Sequence, residues 1–222
     1  ADLSVGDDLR LISDSSVLSF GADSDVTITH DPDDGLFIKS AATADDNPLL
    51  LTLQTGETDL AADDVIGKIA FQAPDEGTGT DAILVSAAIQ AVAEGDHSSA
   101  SNATSLQFMT GASEAATAKA YLKSDGSFGL GTAPSYPFHL KVTTADTDHL
   151  VIESTEAGAN EAPGIALWRN SGSPADNDTI GRIRFYGEDS GGALTTYGQI
   201  VTKILDVTDG TEDSQMALTT LT

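Results

Sequence analysis

One hexapeptide, repeated, constrains this chain more than any other feature of its sequence. Ile66-Gly67-Lys68-Ile69-Ala70-Phe71 returns 114 positions later as Ile180-Gly181-Arg182-Ile183-Arg184-Phe185. The same spacing aligns Leu51 with Ile165, Leu53 with Leu167 and Asp64 with Asp178. Small loop deletions then bring Ile89 onto Ile200, and Leu106 and Phe108 onto Met216 and Leu218. Upstream, residues 39–45 echo residues 141–146. Two copies of one unit point to tandem modules rather than a single globular enzyme.

Both copies carry the period of strands. Ile83, Val85, Ala87, Ile89, Ala91 and Ala93 keep strict period two, and Leu106 and Phe108 follow beside Ser105 and Gln107. Such alternation puts every second side chain on one face of a sheet. Val26 and Ile28 alternate with Thr27 and Thr29, Leu36 and Ile38 flank Phe37, and Leu49, Leu51 and Leu53 hold one face opposite Thr52. Between the runs lie Asp31-Pro32-Asp33-Asp34-Gly35, Asp75-Glu76-Gly77-Thr78-Gly79 and Ser190-Gly191-Gly192. Asp bonds to nearby backbone and Gly adopts positive φ, so each cluster can reverse the chain. Residues 112–122 have helical composition but no apolar stripe at period 3.6, so a turn or short helix is the most expected there. The fold class expected is all-β, with tandem modules of β-prism or β-sandwich type. Residues 66–71 and 180–185, with Ile89, Phe108, Ile200 and Leu218, are the expected core.

Composition limits how such a core can be filled. The 222 residues include one Trp, four Tyr and seven Phe, so a single chain has little bulk to bury. There is no cysteine, which removes disulfides, thiol nucleophiles and Cys-based metal sites. Rigidity must come from elsewhere, and oligomerisation is the usual source. Lys plus Arg is 10 against 35 Asp plus Glu, a net charge of −25. That balance repels phosphate backbones and anionic lipid heads, so neither nucleic acid nor membrane insertion is expected. No run approaches the roughly 18 apolar residues of a membrane span. The opening Ala1-Asp2-Leu3-Ser4-Val5 has no basic patch or apolar stretch of a secretory signal.

Between the two copies runs Ser124-Asp125-Gly126-Ser127-Phe128-Gly129-Leu130-Gly131-Thr132-Ala133-Pro134-Ser135-Tyr136-Pro137-Phe138-His139-Leu140-Lys141-Val142. It resembles the DGNVGIGT-x-P-x-x-x-LHV element common in tail fibres of tailed bacteriophages, marine ones especially. Ser127-Phe128 stands where Asn-Val is usual, and Phe138-His139-Leu140 carries the Leu-His-Val position with one residue inserted. The opening, from Val5-Gly6-Asp7-Asp8-Leu9-Arg10-Leu11 to Asp25-Val26-Thr27-Ile28-Thr29-His30, is similar to stretches of marine phage appendage proteins. The resemblance implies an elongated homotrimeric fibre on the outside of a virion. Its partners would be other virion tail proteins and a host surface glycan or receptor. On this reading residues 1–48 are an N-terminal β connector, 49–123 the first β-module, 124–142 a Gly/Pro-rich connector and 143–222 the second β-module. The second copy stops just past its Leu106/Phe108 equivalent, so the natural chain is expected to continue. Gly126, Gly129 and Gly131, with Pro134 and Pro137, suit a backbone passing close to a three-fold axis.

No catalytic, cofactor-binding or metal-ligating residue is expected. The Gly126/Gly129/Gly131 run is followed by prolines rather than by the helix that a nucleotide loop opens. His30, His97, His139 and His149 form no His-Glu-x-x-His and no zinc spacing; His139 is the one a trimer axis would gather most readily. Asp7-Asp8, Asp33-Asp34, Asp45-Asp46 and Asp63-Asp64 look like paired carboxylates for cleaving glycans, yet all sit among turn-formers. Trp168, the lone indole, is expected within a strand. Acidic loops at 31–35 and 206–213 offer oxygen ligands to Ca2+, though neither completes a twelve-residue calcium loop. Two alternatives stay open: a polysaccharide-degrading tailspike segment and a calcium-stabilised secreted bacterial adhesin module.

Overall fold

A computed structural model describes residues 5–32, 35–73, 81–145, 147–159 and 163–221. Among the described residues the protein is all-β, with twelve strands and no helix. It divides into two compact units, Ala1–Thr144 and Ala145–Thr222.

The first unit holds two sheets. A meander of β1 (Val17–Phe20), β2 (Val26–Asp31) and β3 (Gly35–Ser40) runs in the order β1-β2-β3, and the Asp31–Gly35 pair closes its second hairpin. The other sheet runs β4 (Val65–Gln72), β5 (Val85–Ala93), β6 (Thr104–Thr110), β7 (Thr117–Leu122), β8 (Phe128–Leu130) and β9 (Phe138–Leu140) in sequence order. The second unit is a meander of β10 (Thr179–Glu188), β11 (Leu194–Asp206) and β12 (Asp213–Thr220).

The repeat read from the hexapeptide is a structural one, down to register. Ile69 pairs with Ile89 and Ile89 with Phe108; Ile183 pairs with Ile200 and Ile200 with Leu218. Gly67 faces Ala91 and Gly181 faces Thr202, each just after a bulge at the start of its strand. Second bulges fall between Phe71 and Gln72 and between Phe185 and Tyr186. Each leading strand is entered through the same turn. The Asp64 carboxylate accepts from the Ala61 N–H at 2.7 Å, and that of Asp178 from the Ala175 N–H at 3.0 Å. Asp63 and Asn177, at φ 72 and 69, donate their N–H groups to Ala93 and Ile204 of the neighbouring strand. Asp and Asn are the side chains that tolerate this left-handed backbone most readily.

Residues 124–142, read as a connector, supply β8 and β9, which pair in parallel onto the edge of the six-stranded sheet. Parallel neighbours usually need a crossover of about a dozen residues; here residues 131–137 suffice. Gly126, at φ +83, turns the chain between β7 and β8, with Ser127 N–H on the Asp125 carboxylate at 2.8 Å. Gly131, at φ +79, reverses it after β8, and a β-carbon there would strike the Lys141 carbonyl oxygen. A β-carbon at Gly129 would meet the Thr132 carbonyl and the Pro134 ring. At Gly129 and Gly131 the room expected to serve a three-fold axis is therefore taken by the chain's own backbone. Phe128 and Phe138 stack across the parallel pair, ring centres 6.0 Å apart.

Four expectations fail locally. Residues 117–122 form β7 rather than a turn or helix, because Leu106 and Phe108 of β6 pair with Leu122 and Ala120 and pull the Ala-rich run into the sheet. Ile83 precedes β5, which begins at Val85. Leu49, Leu51, Leu53 and Trp168 stand in no strand. The expected core is not buried within one chain: among the described residues the buried apolar side chains are Ala88, Val92, Ala93 and Ala116, all small or medium. Phe71 and Phe185 remain 54% and 53% exposed, and Leu218 76%. The turn at 75–79, Asp33, Asp34 and Asp146 lie outside the described residues.

Candidate assembly surface

Residues paired across antiparallel strands share a face, so the registers sort every side chain of both modules. One face of the six-stranded sheet carries Ile69, Phe71, Ile89, Leu106 and Phe108, and continues through Leu122 and Phe128 to Phe138 and Leu140. In β10–β12 the same face carries Ile183, Phe185, Ile200, Met216 and Leu218. No charged side chain enters either set. Most of these residues are exposed, Met216 to 74%.

Each module also lays a leucine over the start of this face. The β-carbon of Leu53 lies 3.0 Å from where one on Gly67 would stand, and that of Leu167 lies 2.9 Å from the equivalent point at Gly181. Glycine is needed at both positions because an apolar side chain from the preceding segment occupies the space. Those preceding segments are apolar and outside any ladder, with Leu50, Leu51, Ile165 and Trp168 exposed. Among the described residues no large side chain is fully buried. A single copy leaves unburied the apolar area that ordinarily stabilises a domain.

The opposite face is mixed, and in the first module it holds the buried Ala88 and Val92. In the first module it includes Lys68, Gln90 and Gln107, the two amides bonded at 3.0 Å, and Ser105, whose hydroxyl reaches the Val92 carbonyl at 3.3 Å. In the second it carries Arg182, Arg184, Gln199 and Lys203. The Arg184 guanidinium donates to the Tyr186 hydroxyl at 3.0 Å, and that bond, with the positive charge behind it, holds the phenol below its ordinary pKa. These cations were not singled out from the sequence. Reading the two repeats against each other for gained charge would have found them.

The residues weighed for chemistry are scattered. Nδ1 of His139 accepts from the Ser135 N–H at 3.2 Å and its ring meets Tyr136 edge-on, 5.4 Å between centres. His97 Nε2 lies 3.4 Å from the Thr104 hydroxyl, His30 sits on β2, and His149 stands outside the sheets. Asp63 and Asp64 build the entry turn described above. The Asp206 carboxylate receives Thr208 N–H at 2.9 Å and Thr211 Oγ1 at 3.2 Å, bonds that lower its pKa within its own loop. Among the described residues no three His, Asp or Glu side chains converge as a metal group would.

These features define an all-β chain of tandem modules with one apolar face left open. No protein-family model matches it, and no curated protein sequence does. Among solved structures it is similar to the carboxy-terminal domain of the bacteriophage T5 L-shaped tail fibre, at TM-score 0.61 and 15% identity, over 80% of this chain and 79% of that one. The same domain solved with its intra-molecular chaperone domain gives TM-score 0.61 and 15% identity, over 80% of this chain and 55% of that one. At that identity the likeness is one of fold.

Proposed function

We propose that this chain is a structural segment of a viral tail fibre or similar external virion appendage, assembling as a homotrimer. The observation that carries the reading is the uncharged apolar face repeated in both modules and left open in the single chain. Three copies turning that face inward bury Phe71, Phe108, Phe185 and Leu218 and leave outside the faces that carry Lys68, Arg182, Arg184 and Lys203. Burial at about 25 cal/mol per Å2 then provides the stability that the meagre single-chain core lacks. The fold likeness to a tail-fibre domain supports the appendage role, and the number three rests on the resemblance of residues 124–142 to a tail-fibre element rather than on the geometry of its glycines. The work is mechanical: the modules space and connect, bound to other virion tail proteins, and the segment has a part in contact with the host surface. No residue is assigned a catalytic role.

Sedimentation equilibrium on the intact chain tests this directly. The expected result is one species of three times the chain mass, persisting at micromolar concentration and unmoved by chelator. A compact monomer with a cooperative unfolding transition overturns the assembly, and a chelator-induced collapse in melting temperature favours the calcium-stabilised adhesin.

A further inference from the structure

The two modules share one register, so each position of the second can be read against its twin in the first. On the apolar face the twins agree: Ile69 and Ile183, Phe71 and Phe185, Ile89 and Ile200, Phe108 and Leu218. On the opposite face they diverge: the second module loses the Gln90–Gln107 amide pair to Val201 and Ala217 and gains cations and amides beside it. Ala70 has Arg184 as its twin, Val92 has Lys203, Ala88 has Gln199 and Ser105 has Gln215, while Lys68 keeps its charge as Arg182. Ala88, Val92 and Ser105 are buried in the first module, and the hollow of about 300 Å3 beside Val92 and Ser105 is lined by the carboxylates Asp63 and Glu94 as well as by Lys123. In the second, Arg182, Arg184 and Lys203 are exposed. Arg182 and Lys203 line a hollow of about 340 Å3 together with Thr179, Gln199, Gln215 and Thr219, over a floor of Val201 and Ala217, and Arg184 stands on the same face outside it.

We propose that this hollow binds a saccharide bearing a compact anionic group, a carboxylate or a phosphate. In a chain with 35 acidic residues, three of the ten cations gather on one sheet face, and no carboxylate lines the hollow. The acidic residues of these strands, Glu188, Asp206 and Asp213, stand at strand ends. Among the described residues the ion pairs are Lys119–Glu114 and Arg169–Asp178, so the three cations have no internal carboxylate to neutralise them. A guanidinium presents paired donors that fit a carboxylate or phosphate. The flanking amides and hydroxyls donate and accept in the way that ring hydroxyls require. The net charge of −25 repels a long polyanion, which favours one localised charge on a neutral scaffold. A contact belonging to the repeated assembly scheme would appear in both modules, and this group appears in one.

The inference rests on the appendage reading for its ligand class, not for the site itself. Calorimetric titration of the intact chain with trigalacturonate, mannose 6-phosphate and neutral maltotriose tests it, with sedimentation run on the same samples. Binding of at least one anionic probe is expected, with the two probes separating carboxylate from phosphate as the preferred group, and maltotriose at least tenfold weaker. The double variant Arg182→Ala with Lys203→Val, which removes both cations that line the hollow, is expected to weaken anionic binding by about tenfold or more at unchanged assembly mass. Equal binding of maltotriose, absence of binding by either anionic probe, or an unaffected double variant overturns the site. A drop in assembly mass without change in ligand binding also overturns it and assigns the face to contact between copies. A monomer that still binds an anionic probe removes the trimer and leaves the site standing.

Discussion

At the scale of single residues, what the positions do is set by backbone room and by local hydrogen bonds. Gly131 combines φ +79 with a same-chain carbonyl where a β-carbon would go, so Gly131→Ala meets both a left-handed strain and a clash. The expected cost is at least about 2 kcal/mol, roughly 4–8 °C in melting temperature for a chain of this length. Gly126 shares the positive φ but has nothing within 4 Å of where a β-carbon would stand. Gly126→Asn is therefore expected to stay within about 0.5 kcal/mol of the parent, measured by the same thermal scan. Asp189 gives a pH prediction. Backbone N–H groups of Ala193 and Gly191, the latter at 2.8 Å, hold its carboxyl below the ordinary value of 3.8. Because the folded pKa is the lower one, this contribution is complete above the unfolded pKa and is lost as pH falls through the folded value. The difference in urea midpoint between the parent and Asp189→Asn is expected to be constant near neutrality and to shrink once the pH drops below about 4. A difference that grows in acid contradicts the assignment.

At the scale of elements, the rows Ile69–Ile89–Phe108 and Ile183–Ile200–Leu218 are the unit that matters. If other copies cover this face, Leu218→Ser removes about 1.5–3 kcal/mol per copy and raises the dissociation concentration by tenfold or more. Ala217→Ser, on the opposite face of the same strand, is the control and is expected to change assembly by less than about 0.5 kcal/mol. Analytical ultracentrifugation over a dilution series separates the two; an assembly indifferent to Leu218→Ser means the face is solvent-facing. These rows were legible in the sequence because period two and the 114-residue repeat agree, and register follows once one face must be apolar. Residues 117–122 were not legible as a strand: their Ala, Lys and Leu favour a helix locally, and only pairing with β6 overrides that preference. Leu49, Leu51 and Leu53 alternate as a strand does, yet their segment ends as a cover over Gly67 with no ladder partner. Alternation reports the faces of an extended chain and is silent about whether a neighbour completes its hydrogen bonds.

At the scale of the whole molecule, assembly sets two large effects against each other. Bringing three copies together buries the open apolar faces and also confines 75 excess negative charges, 25 from each chain. The first effect depends little on salt in this range, whereas the second is screened over a Debye length that shrinks from about 30 Å at 0.01 M to about 8 Å at 0.15 M. Assembly held by apolar burial against like-charge repulsion must therefore tighten as salt is added. The dissociation concentration from sedimentation is expected to fall by about tenfold or more between those two NaCl concentrations, since relief of about 1.4 kcal/mol is enough. Anionic ligands at Arg182 and Lys203 should respond in the opposite sense, because salt screens an attraction there. The two measurements on one sample thus separate the faces by sign alone. An assembly that loosens with salt would mean that ion pairs hold the copies together, and the apolar face could no longer be the surface on which they meet.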